Sequence, residues 1–310
     1  MKGKKVLITG GAGFVGGRCA ELLIEQGAIV DIWDDMRYWR DGAVVPHGIR
    51  KHITHSLCEV SLKDFDYDLV IHAATVNIIQ AMSEMEACVD TNFTATIQFF
   101  RSLPANTKVI YLSTASVYGQ ASVFPTAETA QVRPSNVYAM TKLLAEQFLA
   151  STELPFTILR LSNVYGPRQR PDNAYAGVMC KVIEAGLTGK ELPIYGDGED
   201  TRDFTYVDDV VTAICHAHNL PFLGHVYNVS TGIATSIMEL VNKVNYILDL
   251  EILLKPSPPR PIDIIDHRVL SSEKLQAAGW KPQTMLSTGI VKTVSWMQQE
   301  KIFSKSEFLI

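Results

Sequence analysis

Three glycines spaced three residues apart, Gly10, Gly13 and Gly16, separate a short apolar run, Val6 to Thr9, from a helical pattern running from Arg18 to Gln26 that Gly27 closes. Strand, tight turn and helix in that order constrain the chain more than any other feature. Glycine permits the turn and lets backbone approach a pyrophosphate, while the helix N-terminus offers free N–H groups and a partial positive charge. Glycines also gather in loops for turn geometry alone, so the spacing by itself leaves both readings open. Ala28 to Trp33 reads as a second strand ending in Asp34 and Asp35. Asp34 lies 18 residues past Gly16, where a carboxylate can accept both hydroxyls of an adenosine ribose. A 2′-phosphate would meet negative charge there, which favours NAD over NADP, although Arg37 is a cation close by. The plainer alternative is a pair of solvated loop carboxylates.

Further strands are expected at Leu69 to Ala73, Val109 to Ser113 and Phe156 to Leu161, each separated from the next by enough chain for a helix. Two of the helices are expected at about Met82 to Leu103 and Asn136 to Thr152. Such alternation implies a parallel sheet covered on both faces. After Leu161 the segments shorten and Pro167, Pro171 and Pro193 appear, followed by a proline-rich stretch from Lys255 to Ile262. A smaller lobe is expected there, ending in a terminal helix from Ser295 with a loose end.

The 310 residues, 47 % hydrophobic and 20 % charged, are ordinary for a compact soluble chain. A formal net charge of −5 makes no field that would gather nucleic acid or an acidic membrane. No stretch approaches the roughly 18 apolar residues of a membrane span, and the apolar run after the N-terminal lysines is too short for a signal peptide. Cys19, Cys58, Cys88, Cys180 and Cys215 are too scattered for a zinc site or redox pair, so reduced thiols and a cytoplasmic location are expected. His52 with His55, and His216 with His218, lack a third ligand in register, and no metal is expected.

Tyr138 and Lys142 stand four residues apart at the start of the second long helix, on one face, with Thr114 24 residues upstream at the end of a strand. A tyrosine titrating near 10 needs a neighbouring cation to act as a base near neutrality, and Lys142 can supply one. Thr114 can bond the same substrate oxygen and stabilise charge developing there. A Tyr-x-x-x-Lys spacing alone is loose and usually marks a solvated helix face. Its position after a glycine turn, a ribose acid and Ser113-Thr114-Ala115-Ser116-Val117-Tyr118-Gly119 is what makes it informative.

Together these segments, with His72-Ala73-Ala74, Arg160 to Gln169, Ile194 to Asp209, Tyr227-Asn228-Val229 and Arg260-Pro261-Ile262-Asp263, resemble the extended short-chain dehydrogenase/reductase superfamily over nearly the whole chain. The likeness is strongest to NAD-dependent nucleotide-sugar epimerases and dehydratases of the UDP-glucose 4-epimerase kind. The resemblance implies an α/β fold, a Rossmann-type doubly wound parallel sheet over residues 1–165 with a return segment near 203–220. It also implies a smaller C-terminal α/β substrate-binding lobe over 166–310. NAD would contact Gly10, Gly13, Phe14, Val15, Gly16, Asp34, Ser56, Leu57, Ala73, Ala74, Asn92, Tyr138 and Lys142. The substrate, a nucleotide diphosphate sugar, would contact Thr114, Tyr138, Asn163, Val178, Arg202, Arg260 and Asp263. Of these, Asn163, Arg202 and Arg260 would meet the diphosphate and Asp263 the nucleotide ribose.

For Arg202 a salt bridge to Asp200 or Asp203 is the competing reading, and for Arg260 a rigid surface loop. Thr114, Tyr138 and Lys142 would be catalytic. Relatives usually dimerise through the two long helices, so a homodimer is implied.

Two departures bear on the reaction. Dehydrating relatives place Asp-Glu directly after the threonine, whereas Ala115 and Ser116 stand here. Where relatives often carry an acid beside the adenine, this chain has Ser56 before Leu57. Epimerisation at C4 through a transient 4-keto sugar is therefore expected ahead of a 4-dehydrogenase or 4-ketoreductase, with a catalytically silent NAD-binding regulator a more distant alternative. Trp39 and Arg40, in a segment where relatives are small and polar, have no role in this reading.

Overall fold

The computed structural model describes residues 1–37, 45–59, 65–171, 177–258, 267–300 and 302. In chain order, β1 (Lys5–Thr9), α1 (Phe14–Glu25), β2 (Ile29–Trp33), β3 (Lys51–Ile53) and β4 (Leu69–His72) are followed by α2 (Met85–Val89) and α3 (Thr96–Ser102), then β5 (Lys108–Thr114), α4 (Val137–Ala150), β6 (Phe156–Leu161) and β7 (Asn163–Tyr165). The remainder comprises α5 (Val178–Thr188), β8 (Leu192–Tyr195), β9 (Thr201–Arg202), β10 (Phe204–Tyr206), α6 (Val207–Asn219), β11 (His225–Val229), β12 (Thr235–Ser236), α7 (Ile237–Leu248), β13 (Leu254–Ser257), β14 (His267–Arg268), α8 (Glu273–Ala277) and α9 (Leu286–Gln299).

Seven strands form one parallel sheet in the order β11-β6-β5-β4-β1-β2-β3. The interior residues of β1, β4 and β6 are buried without alternation, as a sheet covered on both faces requires. One face packs against α1 and α6, the other against α3 and α4. Of the segment 203–220, α6 packs on α1 and on the sheet, whereas β10 pairs with β7 and joins the smaller lobe. Two of the seven strands escape a reading by periodicity. Strand β3 is a polar three-residue edge. Strand β11, which the resemblance places with the substrate half, pairs with β6 and closes the other edge.

The expected helix over Met82 to Leu103 is α2 and α3 joined by a π-helical turn, Asp90–Ala95. There the Thr96 hydroxyl donates to the Thr91 carbonyl five residues back. The terminal helix starts well before Ser295, as α9, and residues 303–310 lie outside the described part, as do Trp39 and Arg40.

A second core, including Tyr165, Met179, Ile183, Phe204, Leu240 and Ile290, lies between α5, α7, α9 and the β7–β10 pair. Small sheets β8–β13 and β12-β9-β14 complete this lobe. Among the described residues no helix is long and apolar enough to cross a membrane.

One charged cluster sits inside the first core. Glu146 of α4 and Arg160 of β6 are only 4 % and 6 % exposed. Arg160 Nη2 donates to Glu146 Oε2 at 2.6 Å and Nη1 to the Tyr118 hydroxyl at 3.0 Å, and that hydroxyl donates to Asn228 Oδ1 at 2.7 Å. Ser113 of β5 donates its hydroxyl hydrogen bond to Glu146 as well. The cluster joins α4, β5, β6 and β11 just behind Thr114.

Removing one partner of such a pair leaves a buried charge uncompensated, at a cost of about 3–5 kcal/mol. Glu146→Ala is accordingly expected to lower unfolding free energy by about that amount in urea titration. A loss below about 1 kcal/mol would show that the pair is not a structural tie.

Candidate active site

A cleft of about 840 Å³ opens where β1, β2, β4, β5 and β6 end, and it brings together residues from both lobes. At its floor the chain passes from β1 to α1. Gly10 has φ 66°, and a Cβ there would fall 2.7 Å from the Ala74 backbone. At Gly16 a Cβ would run into the Gly10 carbonyl oxygen. The turn is therefore as close to α1 and to Ala73-Ala74 as backbone can be. Gly10, Gly13, Phe14, Val15 and Gly16 all line the cleft, with the N-terminus of α1 facing it.

Asp34, at the end of β2, lines the same space. Its Oδ2 accepts the Ala12 N–H at 3.0 Å and its Oδ1 the Met36 N–H at 2.9 Å. Burial raises its pKa above the usual carboxylate range, the two backbone bonds opposing. Each oxygen keeps a further lone pair for a hydroxyl. Arg37, the cation that could receive a 2′-phosphate, makes an ion pair with Asp35 at 3.3 Å. Ser56, Leu57, Ala73 and Ala74 line the adjoining wall. A backbone cradle that excludes side chains, a helix N-terminus and a ribose-length carboxylate together fit an NAD molecule.

Thr114, Tyr138 and Lys142 also line the cleft. Thr114 ends β5 and caps a 3-10 turn, Ala115–Tyr118. Its Oγ1 accepts the Ser116 N–H at 3.1 Å and donates to Ser116 Oγ at 3.2 Å. Asn136 caps α4 by accepting the Ala139 N–H, which fixes Tyr138 on the first turn. Burial pushes the Tyr138 phenol above its ordinary value. Its hydrogen bond with Thr114 and the field of Arg268 act the other way.

Lys142, buried on the next turn, lies 4.2 Å from the centre of the Tyr111 ring. Desolvation pushes its ammonium down to about 7, and the carboxylate of Glu146 opposes that shift. His72, also fully buried, is held well below its usual range by burial and by Lys142. Its ring nitrogens pair with the Thr9 and Thr96 hydroxyls at 2.9 and 3.0 Å, so it packs as a neutral side chain.

Not every anticipated residue reaches the cleft. Asn92 is 1 % exposed and brackets Val76, accepting its N–H at 2.7 Å and donating to its carbonyl at 2.9 Å, so it shapes the loop after β4 rather than facing a ligand. Asn163 lines the wall on β7. Val178, the first residue of α5, packs into the second core beside the lining residue Gly177. Arg202 stands on β9, off the lining, with Asp200 at 3.6 Å. Arg260 and Asp263 lie outside the described residues.

Two arginines escaped the sequence reading. Arg168 takes φ 73°, unusual for a residue with a side chain, and turns back over the glycine turn. It donates to the Ala12 carbonyl at 3.1 Å and to Glu21 at 2.7 Å. Arg268 of β14 lines the cleft together with Thr114 and Tyr138. Neither carries a local pattern, and only the Gly-Pro step before Arg168 hinted at an irregular turn.

A sequence profile of the NAD dependent epimerase/dehydratase family matches residues 6–230. UDP-glucose 4-epimerase of Mycolicibacterium smegmatis is 30 % identical over 96 % of this chain and 99 % of that protein. UDP-N-acetyl-alpha-D-glucosaminuronate decarboxylase of Bacillus cytotoxicus is 31 % identical over 96 % and 98 %. The solved UDP-glucose 4-epimerase of Thermus thermophilus, a complex with NAD, superposes with a TM-score of 0.85 at 30 % identity, covering 95 % of this chain and 99 % of that one.

Asp34 closes the glycine turn through Ala12 and faces the cleft with acceptor capacity to spare. Asp34→Ala is expected to weaken NAD binding at least ten-fold in calorimetric titration, since a hydrogen bond to a charged group contributes about 1.5–3 kcal/mol. Unchanged affinity would remove Asp34 from the cofactor site.

Proposed function

Because the chain belongs to the NAD-dependent epimerase/dehydratase family, we propose that it epimerises a nucleotide diphosphate sugar at C4 through a transient 4-keto sugar. NAD, when bound, supplies the hydride chemistry at the reacting carbon. Tyr138 takes the proton of the sugar hydroxyl, which Thr114 orients from the end of β5. Ser116, hydrogen-bonded to Thr114, holds that hydroxyl in one rotamer. Lys142 lies one turn along α4 from Tyr138, where its ammonium can favour the phenolate and bond a nicotinamide ribose; Tyr138 gives the proton back to the sugar oxygen when the hydride returns to carbon.

The observation that carries the reaction type is the neighbourhood of Thr114. Elimination of water across neighbouring carbons needs its own acid and base. The two positions after Thr114 hold buried Ala115 and Ser116, neither of which titrates near neutrality. With no acid–base pair there, the same three groups serve removal and return of one proton, as epimerisation requires. The uronate decarboxylase among the relatives makes loss of a carboxyl group the contrasting outcome.

NMR of product after incubation with a panel of UDP-, GDP-, CDP- and dTDP-sugars, together with absorbance at the NADH band, separates these outcomes. The expected result is a C4 epimer with no steady absorbance change. Net accumulation or consumption of NADH indicates a 4-dehydrogenase or 4-ketoreductase, and release of carbon dioxide a decarboxylase; either overturns the proposal. Tyr138→Phe is expected to keep NAD affinity and lose roughly 100-fold or more in turnover, the scale of general acid–base catalysis. Wild-type protein that binds NAD and turns over no sugar of the panel would support the silent regulator instead.

The protein acts, on this reading, as a homodimer. Met85 and Val89 of α2 and Met140 and Leu144 of α4 are each one turn apart on adjoining helices, and all four are 37–55 % exposed. Such an apolar face on two packed helices suits a four-helix contact with its symmetry mate. Met140→Glu combined with Leu144→Glu is expected to give monomer in light scattering, against dimer for wild type. Monomeric wild type at micromolar concentration would overturn this assembly.

A further inference from the structure

Arg268 reaches the cleft from the smaller lobe and has no part in the chemistry derived above. Its strand, β14, pairs in parallel with β9, which sets Arg268 directly beside Arg202. The two neighbours are treated differently. Arg202 has a carboxylate, Asp200, at 3.6 Å, and its Nη1 donates to the Thr201 carbonyl at 2.8 Å. Arg268 has no carboxylate partner among the described residues, and its buried Nε lacks a hydrogen-bond partner among them. It lines the same cleft as Thr114, Ser116 and Tyr138.

A guanidinium in this position is costly. Burial and the like charge of Arg202 push its pKa down to about 10, which still leaves it cationic at neutral pH. A half-buried cation beside a second cation, with no anion of its own among the described residues, suits an anion that arrives with the ligand. The planar fork suits two oxygens of one phosphoryl or carboxylate group. On the proposed reading Tyr138 marks where the reacting sugar hydroxyl sits, so the anion must lie close to the sugar ring. A nucleotide sugar can offer two such groups, the phosphoryl bonded to C1 and a carboxylate on the ring.

We propose that Arg268 anchors an anionic oxygen of the bound nucleotide sugar, either the sugar-proximal phosphoryl or a uronate carboxylate, at the Tyr138 end of the cleft. This rests on the nucleotide-sugar reading above and adds to it a residue that recognises the substrate's charge. Arg268 thereby sets the distance between that anion and the reacting hydroxyl. Its field also favours the phenolate of Tyr138, so filling the anchor tunes the base.

The test is calorimetric titration of UDP, UDP-glucose and UDP-glucuronate into NAD-loaded wild type, Arg268→Gln and Arg268→Lys, with NAD affinity and thermal unfolding as controls for folding. Arg268→Gln is expected to bind the anchored ligand at least ten-fold more weakly with NAD affinity unchanged. Arg268→Lys should restore part of the loss, since it keeps the charge without the fork. A loss already present with UDP and UDP-glucose assigns the anchor to the diphosphate; a loss confined to UDP-glucuronate assigns it to the ring carboxylate.

Equal affinity of wild type and Arg268→Gln for every ligand that wild type binds overturns the anchor and leaves the nucleotide-sugar reading standing. Wild type that binds none of the three overturns that reading for uridine nucleotides and the anchor with it. If Arg268→Gln fails to fold, Arg268→Lys decides: affinities equal to wild type for all three ligands exclude a forked anchor, and a loss confirms it.

Discussion

The geometry of the cleft depends on a carboxylate that faces no ligand. Glu146 accepts from Ser113, the residue before Thr114, and from Arg160 on the next strand, while standing one turn beyond Lys142 on α4. One buried charge thus fixes the end of β5 relative to the helix that carries Tyr138 and Lys142. Arg160 carries the tie onward through Tyr118 to Asn228 on the edge strand β11. Without Glu146, the end of β5 and α4 would lose the charged bond that ties them, and the spacing between Thr114 and Tyr138 would be held less tightly than a proton transfer needs.

The first two strands, the glycine turn and the long helix α4 were legible because their signals are local. Strand ends, glycine spacing, an Asn cap and a four-residue Tyr–Lys interval all lie within one or two turns of chain. For the same reason Asp34 could be placed by its distance from Gly16. The π turn, by contrast, contains Asn92, which is committed to the Val76 backbone 16 residues away, and no short window of sequence contains that bond. Strand β11 went unread as part of the main sheet because its five residues are recognisable only by the partner they meet.

Arg168 and Arg268 mark the other limit. Arg168 acts through a left-handed backbone and a reach of more than 150 residues to the Ala12 carbonyl, so the smaller lobe holds down the cofactor turn. A Cβ at Gly17 would collide with its guanidinium, which ties the extra glycine after the turn to that arginine rather than to the cofactor. Arg268 sits on a two-residue strand whose side-chain direction is set entirely by β9. In both, the functional position of a charge follows from tertiary pairing, and an arginine in sequence looks the same whether it is solvated, paired or aimed into a cleft.

The electrostatic state of the site follows from burial. Tyr138 lies above its ordinary pKa and His72 is neutral, while Lys142, pushed down to about 7, is near its midpoint at physiological pH. Burial thus opposes the phenolate that proton removal needs, beside a lysine whose proton is easily gained or lost. What binds then decides the proton arrangement. On the proposed reading, a hydroxyl bonded by Thr114 and Tyr138 faces a base whose phenolate Arg268 favours. An anion seated on Arg268 would screen that help unless Lys142 kept its own proton. Glu146, which opposes the loss of that proton, therefore links the structural tie behind the strand to the chemistry in front of it.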